Sequence, residues 1–337
     1  MHRLTRRQLL QGSLALAGLG LLSGCGQLPF QAQAKQPPKT PRLGVLDIAP
    51  GEGAAPAFDA LLEGLGEHGY VNGRNIAIEH RVAGRDDQFP ELAAELVNLP
   101  VDIILAGSFA ATRAAMQATS TIPIVMASIA DPVGQGLVSS LARPGGNVTG
   151  MSLQSVEITA KRLELLKEAI PAAARVAVLQ NPNNPVGARS LQELEPAART
   201  LGLQVQVLDI RPPEDLEPAL DAAVREHADM LLVTSDPLFG QRYSQIADLA
   251  AKRHVPALHP RREFVEAGGL MSYGPSVPDL WRRSAAYVDK ILSGASPADL
   301  PVEQPMTFDF AINLKTARAL GLTIPQEVLM QATEVIQ

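Results

Sequence analysis

Two aspartates stand directly before proline just past short apolar runs: Asp131 after residues 124–127 and Asp236 after residues 230–233. Such runs read as buried strands whose carboxyl ends open onto polar, Pro- and Gly-punctuated loops. A carboxylate so placed can pair with an amine, or it can do no more than start a turn or cap a helix. Asn181 follows residues 176–179 in the same way, and its amide offers both donor and acceptor. Ser108 follows residues 103–106, where it can cap the next helix, whose free N–H groups can receive a carboxylate. Asp47, Ser128 and Ser235 complete a set of polar side chains at strand exits. Phe109 and Phe239 sit symmetrically just past two exits, with Tyr273 near an expected crossing at Gly274. In a chain with 4% aromatic residues these three suit a clamp on a ring-bearing ligand, the alternative being local core.

Other chemistries find little support. Gly64-Leu65-Gly66-Glu67-His68-Gly69 spells G-x-G-x-x-G but falls at the end of a predicted helix, the wrong context for a dinucleotide. Gly51-Glu52-Gly53 does follow a strand, yet Pro56 stands where the third glycine belongs. The histidines, at 2, 68, 80, 227, 254 and 259, have no metal-binding spacing, and no cysteine pair exists for zinc. No G-x-S-x-G elbow is present, so an enzyme survives only as something a cleft would permit. No cofactor and no metal are expected. Asn147-Val148-Thr149 is a glycosylation sequon by spelling only.

The polar exits need elements to position them. The chain has 337 residues, 46% of them hydrophobic, enough for two ordinary domains. Its net charge is −6, and no basic patch for nucleic acid stands out. From Arg42 onward strands at 43–48, 76–81, 103–106 and 124–127 alternate with helices at 57–67, 89–98 and 109–118. Leu137 and Leu141 suit a further short helix, stopped by Pro144-Gly145-Gly146-Asn147 before a strand opens at Val148. The alternation resumes with a helix at 158–170 and runs to a strand at 270–272. Alternation of this kind predicts parallel sheets with helices on both faces, here in two lobes. Residues 274–337 supply a helix at 280–292, a Pro-rich link at 297–305 and a helix at 314–320, which cannot enclose a core alone and must pack back on the lobes. The expected crossings between lobes are Ser152, Gly274 and Gln304.

The first 25 residues differ from the rest. A basic start leads into an uncharged run at 9–24 that is short for a membrane span, which wants about 20 apolar residues. An export signal fits better. Leu22-Ser23-Gly24-Cys25 resembles the lipobox of bacterial lipoproteins, which implies a lipid on Cys25, the chain's single cysteine; the alternative is a plain signal peptide. Thr5-Arg6-Arg7-Gln8-Leu9-Leu10 is similar to a twin-arginine signal, an ordinary basic start being the alternative. Residues 26–41, rich in Gln and Pro, read as a tether.

A resemblance covers nearly all of the rest. Ala130-Asp131-Pro132-Val133-Gly134, the run 141–150 (L-A-R-P-G-G-N-V-T-G), Ser235-Asp236-Pro237-Leu238-Phe239 and the run 262–274 (R-E-F-V-E-A-G-G-L-M-S-Y-G) resemble the substrate-binding proteins of ABC transporters of tryptophan and tyrosine type. Residues 287–292 and 313–321 extend it toward the end. The resemblance implies an α/β periplasmic-binding-protein fold of type I, with two Rossmann-like lobes of parallel sheet joined by a multi-strand hinge. The expected division is a signal peptide at 1–24, the lipidated cysteine and flexible tether at 25–41, lobe 1 at 42–152 plus 275–303 and lobe 2 at 153–274 plus 304–337. It implies a monomer outside the cytoplasmic membrane that captures a small-molecule solute and hands it to an ABC permease and ATPase complex. A sensor docking on a membrane receptor would use the same lobe closure, and the sequence does not separate the two.

Overall fold

The computed structural model describes residues 40–49 and 57–337. Cys25, the twin-arginine motif, most of the tether and Gly51-Glu52-Gly53 lie outside the described residues. The first half runs β1 (Arg42–Ile48), α1 (Ala57–Glu67), β2 (Ala77–Ala83), α2 (Phe89–Asn98), β3 (Ile103–Ala106), α3 (Phe109–Ala118), β4 (Ile124–Ile129) and β5 (Val148–Ser152). There follow α4 (Thr159–Ala169), β6 (Arg175–Gln180), α5 (Pro185–Thr200), β7 (Gln204–Asp209), α6 (Leu216–Arg225), β8 (Met230–Val233), α7 (Pro237–Gly240), α8 (Tyr243–Lys252), β9 (Ala257–His259), α9 (Glu263–Glu266) and β10 (Met271–Gly274). The chain ends with α10 (Val277–Leu292), β11 (Asp309–Asn313), α11 (Leu314–Ala319), α12 (Gln326–Gln331) and β12 (Glu334–Ile336).

Two sheets result. The first has the order β2-β1-β3-β4-β5, all parallel. In the second, β7-β6-β8-β9-β10 repeats that order and is extended by β11 and β12. Residues of β3 and β8 are buried throughout, as parallel strands covered on both faces must be. Each sheet separates two apolar clusters, so each lobe has its own three-layered core.

The chain passes between the sheets three times. β5 ends in the first sheet at Ser152 and α4 packs in the second lobe. β10 ends in the second sheet at Gly274, after which α10 returns to cover the first sheet with Leu280, Trp281, Tyr287 and Val288. Glu303 bridges to Met151 before β11 re-enters the second sheet. The first and third passages lie side by side, Ser152 N–H donating to the Glu303 carbonyl at 2.8 Å and Glu303 N–H to the Gly150 carbonyl at 2.9 Å. Gly64 allows α10 its seat: a Cβ there would overlap the Arg282 carbonyl. Of the G-x-G-x-x-G spelling, Gly64 thus serves helix packing, and Gly69 takes the positive φ just past the end of α1.

Two expectations need correction. Residues 132–147 form turns and bends with no helix. Pro132, Gly134 and Gly136 favour successive turns, in which Gln135 N–H donates to the Asp131 carbonyl and Gly136 N–H to that of Val133. The last 64 residues are also richer than expected, adding β11, which pairs antiparallel to β10, and the edge strand β12. Among the described residues no helix is long and apolar enough to cross a membrane.

Candidate functional site

In a sheet of order 2-1-3-4-5 the strand connections diverge between β1 and β3, and ligands sit outside the carboxyl ends at that switch point. Both lobes have one, at β1/β3 and at β6/β8. Asp47 is the penultimate residue of β1 and Ser108 follows β3, while Asn181 follows β6 and Ser235-Asp236 follow β8.

On the first lobe, Asp47 accepts the Ile48 N–H at 2.8 Å and lies 3.9 Å from Nε2 of His80, whose ring stacks on Phe58. Ser108 caps α3, its Oγ accepting from Ala111 N–H at 3.2 Å. Ser128 donates to the Gly107 carbonyl at 3.2 Å, tying the end of β4 to the exit of β3. Phe109 is half-buried against the lobe's core. Asp131 is buried, 6% exposed. One of its oxygens accepts the Gly134 N–H at 2.9 Å, and the other takes the guanidinium of Arg189 from α5 of the second lobe. A Cβ at residue 134 would fall on that guanidinium, so the turn's glycine makes the seat.

On the second lobe, Asn181 accepts the Asn183 N–H at 3.0 Å. Asp236 caps α7 by accepting the Leu238 N–H at 2.7 Å, and Asn184 Nδ2 donates to its other oxygen at 2.7 Å. Burial pushes the Asp236 carboxyl above the ordinary value, against the lowering effect of these neutral donors. Asp86, in the turn before α2 of the first lobe, is raised by burial and then by the charge of Asp236, so the two carboxylates feel each other across the lobes.

The three aromatics do not meet in a clamp. Phe239 is fully buried in the second lobe's core, because the short α7 that Asp236 caps turns the ring inward. Tyr273 stacks on Phe308, with ring centroids 5.5 Å apart, and meets Phe310 edge-on. Its carbonyl has the polar role, accepting from Arg162 Nε at 2.8 Å.

Arg162 and Arg189 escaped the sequence reading. Both lie on helices with ordinary polar faces, where an arginine reads as solvated. Arg162 is only 1% exposed, and burial lowers its pKa to about 9. His259, at the end of β9, is equally buried and is pushed down to about 3, first by burial and then by Arg261 and Arg162. Its Nδ1 accepts the Arg261 N–H at 3.0 Å, while Nε2 faces the Phe239 carbonyl without reaching hydrogen-bond geometry. Among the described residues no group of three or more His, Cys, Asp or Glu is placed to hold a metal ion.

Two lobes of matching topology, with polar strand exits facing each other, define the type I periplasmic-binding-protein fold. Residues 42–336 match the model of the ABC transporter substrate binding protein family, and the chain belongs to that family. This is a family of solute-binding proteins rather than enzymes, and membership implies work outside the cytoplasm. The chain is 28% identical over 312 residues to a tyrosine-binding protein of Clostridioides difficile (strain R20291), covering 90% of this chain and 89% of that one. It is similar to a Streptococcus pneumonia ABC domain in complex with L-Trp, at 27% identity and a TM-score of 0.80, covering 88% of this chain and all of that one. A ligand-free, open substrate-binding protein with adhesive properties from Clostridium difficile is also 27% identical, at 88% and 99% coverage, with a TM-score of 0.69.

Proposed function

We propose that this chain captures an amino acid with an aromatic side chain between its lobes and delivers it to an ABC permease and ATPase complex. The observation that carries the reading is Asp236. It is a part-buried carboxylate at a switch point, held only by neutral donors and facing the first lobe, where a ligand ammonium would neutralise it. The relatives that bind tyrosine and L-Trp support the ligand class. Asp131, Asn181 and Ser235 contribute to the same cleft, with Asp47, Ser108 and Ser128 at its far wall. The lobes comprise 42–152 plus 275–303 and 153–274 plus 304–337, closing about the three passages. Lipid on Cys25 anchors the protein after export by the twin-arginine route.

The test is native mass spectrometry of the purified protein before and after mild denaturation, followed by calorimetric titration with L-tryptophan and L-tyrosine. Release of an amino-acid-sized mass, or saturable binding of either compound, is expected. A protein that carries none and binds neither would overturn the reading. For the anchor, Cys25→Ser is expected to release the protein from the membrane fraction, and persistent membrane association would remove the lipid assignment.

A further inference from the structure

Arg162 projects from the first turn of α4 to the carboxyl ends of β8 and β10. A guanidinium has five N–H donors. Three are used here, all on neutral acceptors: Nε on the Tyr273 carbonyl at 2.8 Å, and Nη1 on the Ser155 carbonyl at 3.2 Å and Ser235 Oγ at 3.4 Å. Among the described residues no carboxylate pairs with it, and Nη2 makes no hydrogen bond. That free edge lies beside Gly274, at the second passage between the lobes, where a Cβ would stand 3.5 Å from Nη2. A cation enclosed to 1% exposure without a counter-charge is costly, and the cost falls when an anion with two acceptor oxygens arrives.

We infer that the Nη2 edge of Arg162 receives the carboxylate of the bound amino acid. The inference rests on the solute reading above and names the pole of the ligand that Asp236 does not take. Ser235, which Nη1 touches, is the residue before Asp236, so one loop carries the contacts for both charges of a zwitterion. An inorganic dianion fits less well, because it would bring no ammonium for Asp236, which is held only by neutral donors.

The test compares L-tryptophan with L-tryptophanamide, which keeps the ring and the amine but lacks the carboxylate, by calorimetry on the full chain. Wild-type protein is expected to prefer the acid by about 100-fold, the scale of a buried charge-assisted contact. Arg162→Gln should weaken acid binding by about 100-fold while changing amide binding less than about threefold, which abolishes the preference. Should Arg162→Gln fail to fold, Arg162→Lys, which keeps the charge but loses the two-toothed edge, should still reduce the preference by about tenfold. A role in holding the passages together would lower stability but leave the ratio of acid to amide affinity intact. Wild-type binding with an unchanged ratio in the folded variant overturns this assignment alone. Failure of the wild type to bind either L-tryptophan or L-tyrosine overturns the solute reading and this assignment with it.

Discussion

Asp236 and His259 titrate in opposite senses, and the signs are separable. The native state holds the Asp236 proton to higher pH than the unfolded chain does, so the ligand-free protein loses stability as pH rises from about 4 through the raised native value. His259 is neutral in the native state down to about pH 3, whereas in the unfolded chain it takes up a proton near its ordinary value of 6.5. Its contribution is full above that value and is lost as pH falls toward 3. Asp236→Asn removes the falling component and should make the stability slope between about pH 4 and 6.5 more positive, as read by thermal unfolding. An unchanged slope would show that Asp236 has no raised pKa. The same variant should weaken L-tryptophan binding by about 10- to 100-fold if the carboxylate meets the ammonium. The aspartates at 131 and 236 were legible because proline follows each at the end of an apolar run. Arg162 and Arg189 were not, because the partner of a helical arginine is set by what the fold brings against it, Tyr273 and Ser235 for Arg162 and Asp131 for Arg189.

At the level of elements, the strands that the sequence showed best are those buried on both faces, β3 and β8, where aliphatic runs are bounded by turn residues. β11 was hidden by the Pro-rich link before it, and β12 is a three-residue edge strand with half-exposed side chains and no period to read. The helix expected near Leu137 failed because its prolines and glycines are met better by turns. Interhelical contact offers a sharper test. Gly64→Ala should push α10 away from α1 and destabilise the protein by about 1–3 kcal/mol, measured by urea unfolding. Unaltered stability would mean that the two helices separate freely. The salt links around this contact, Arg282 with Glu67 and Asp279, are exposed enough to add little.

At the scale of the molecule, the ion pair between Asp131 and Arg189 joins one lobe to the other and bears on the balance between closed and open forms. Arg189→Ala should enlarge the ligand-free protein in small-angle scattering. It should also speed L-tyrosine release by about three- to tenfold with little change in association rate. Stopped-flow fluorescence of Trp281, the chain's one tryptophan, would read it. Equal release rates would leave the pair without a part in closure. The two-lobed architecture itself was legible from alternation, and the repeated strand order shows why: each lobe solves the same packing problem with unrelated residues.

The return of α10 to the first sheet also bears on biogenesis. Residues 42–152 leave the ribosome long before α10, yet the apolar face that they build is covered only when Leu280, Trp281 and Tyr287 arrive. Tyr70 then reaches Asp289 across most of the polypeptide, at 3.0 Å. The earlier-made sheet therefore waits for a helix made late in the chain, and the later sheet gains β11 and β12 only at the end of synthesis. Such long-range closure slows folding and leaves a nascent chain with an uncovered greasy surface that chaperones would have to shield until translation ends.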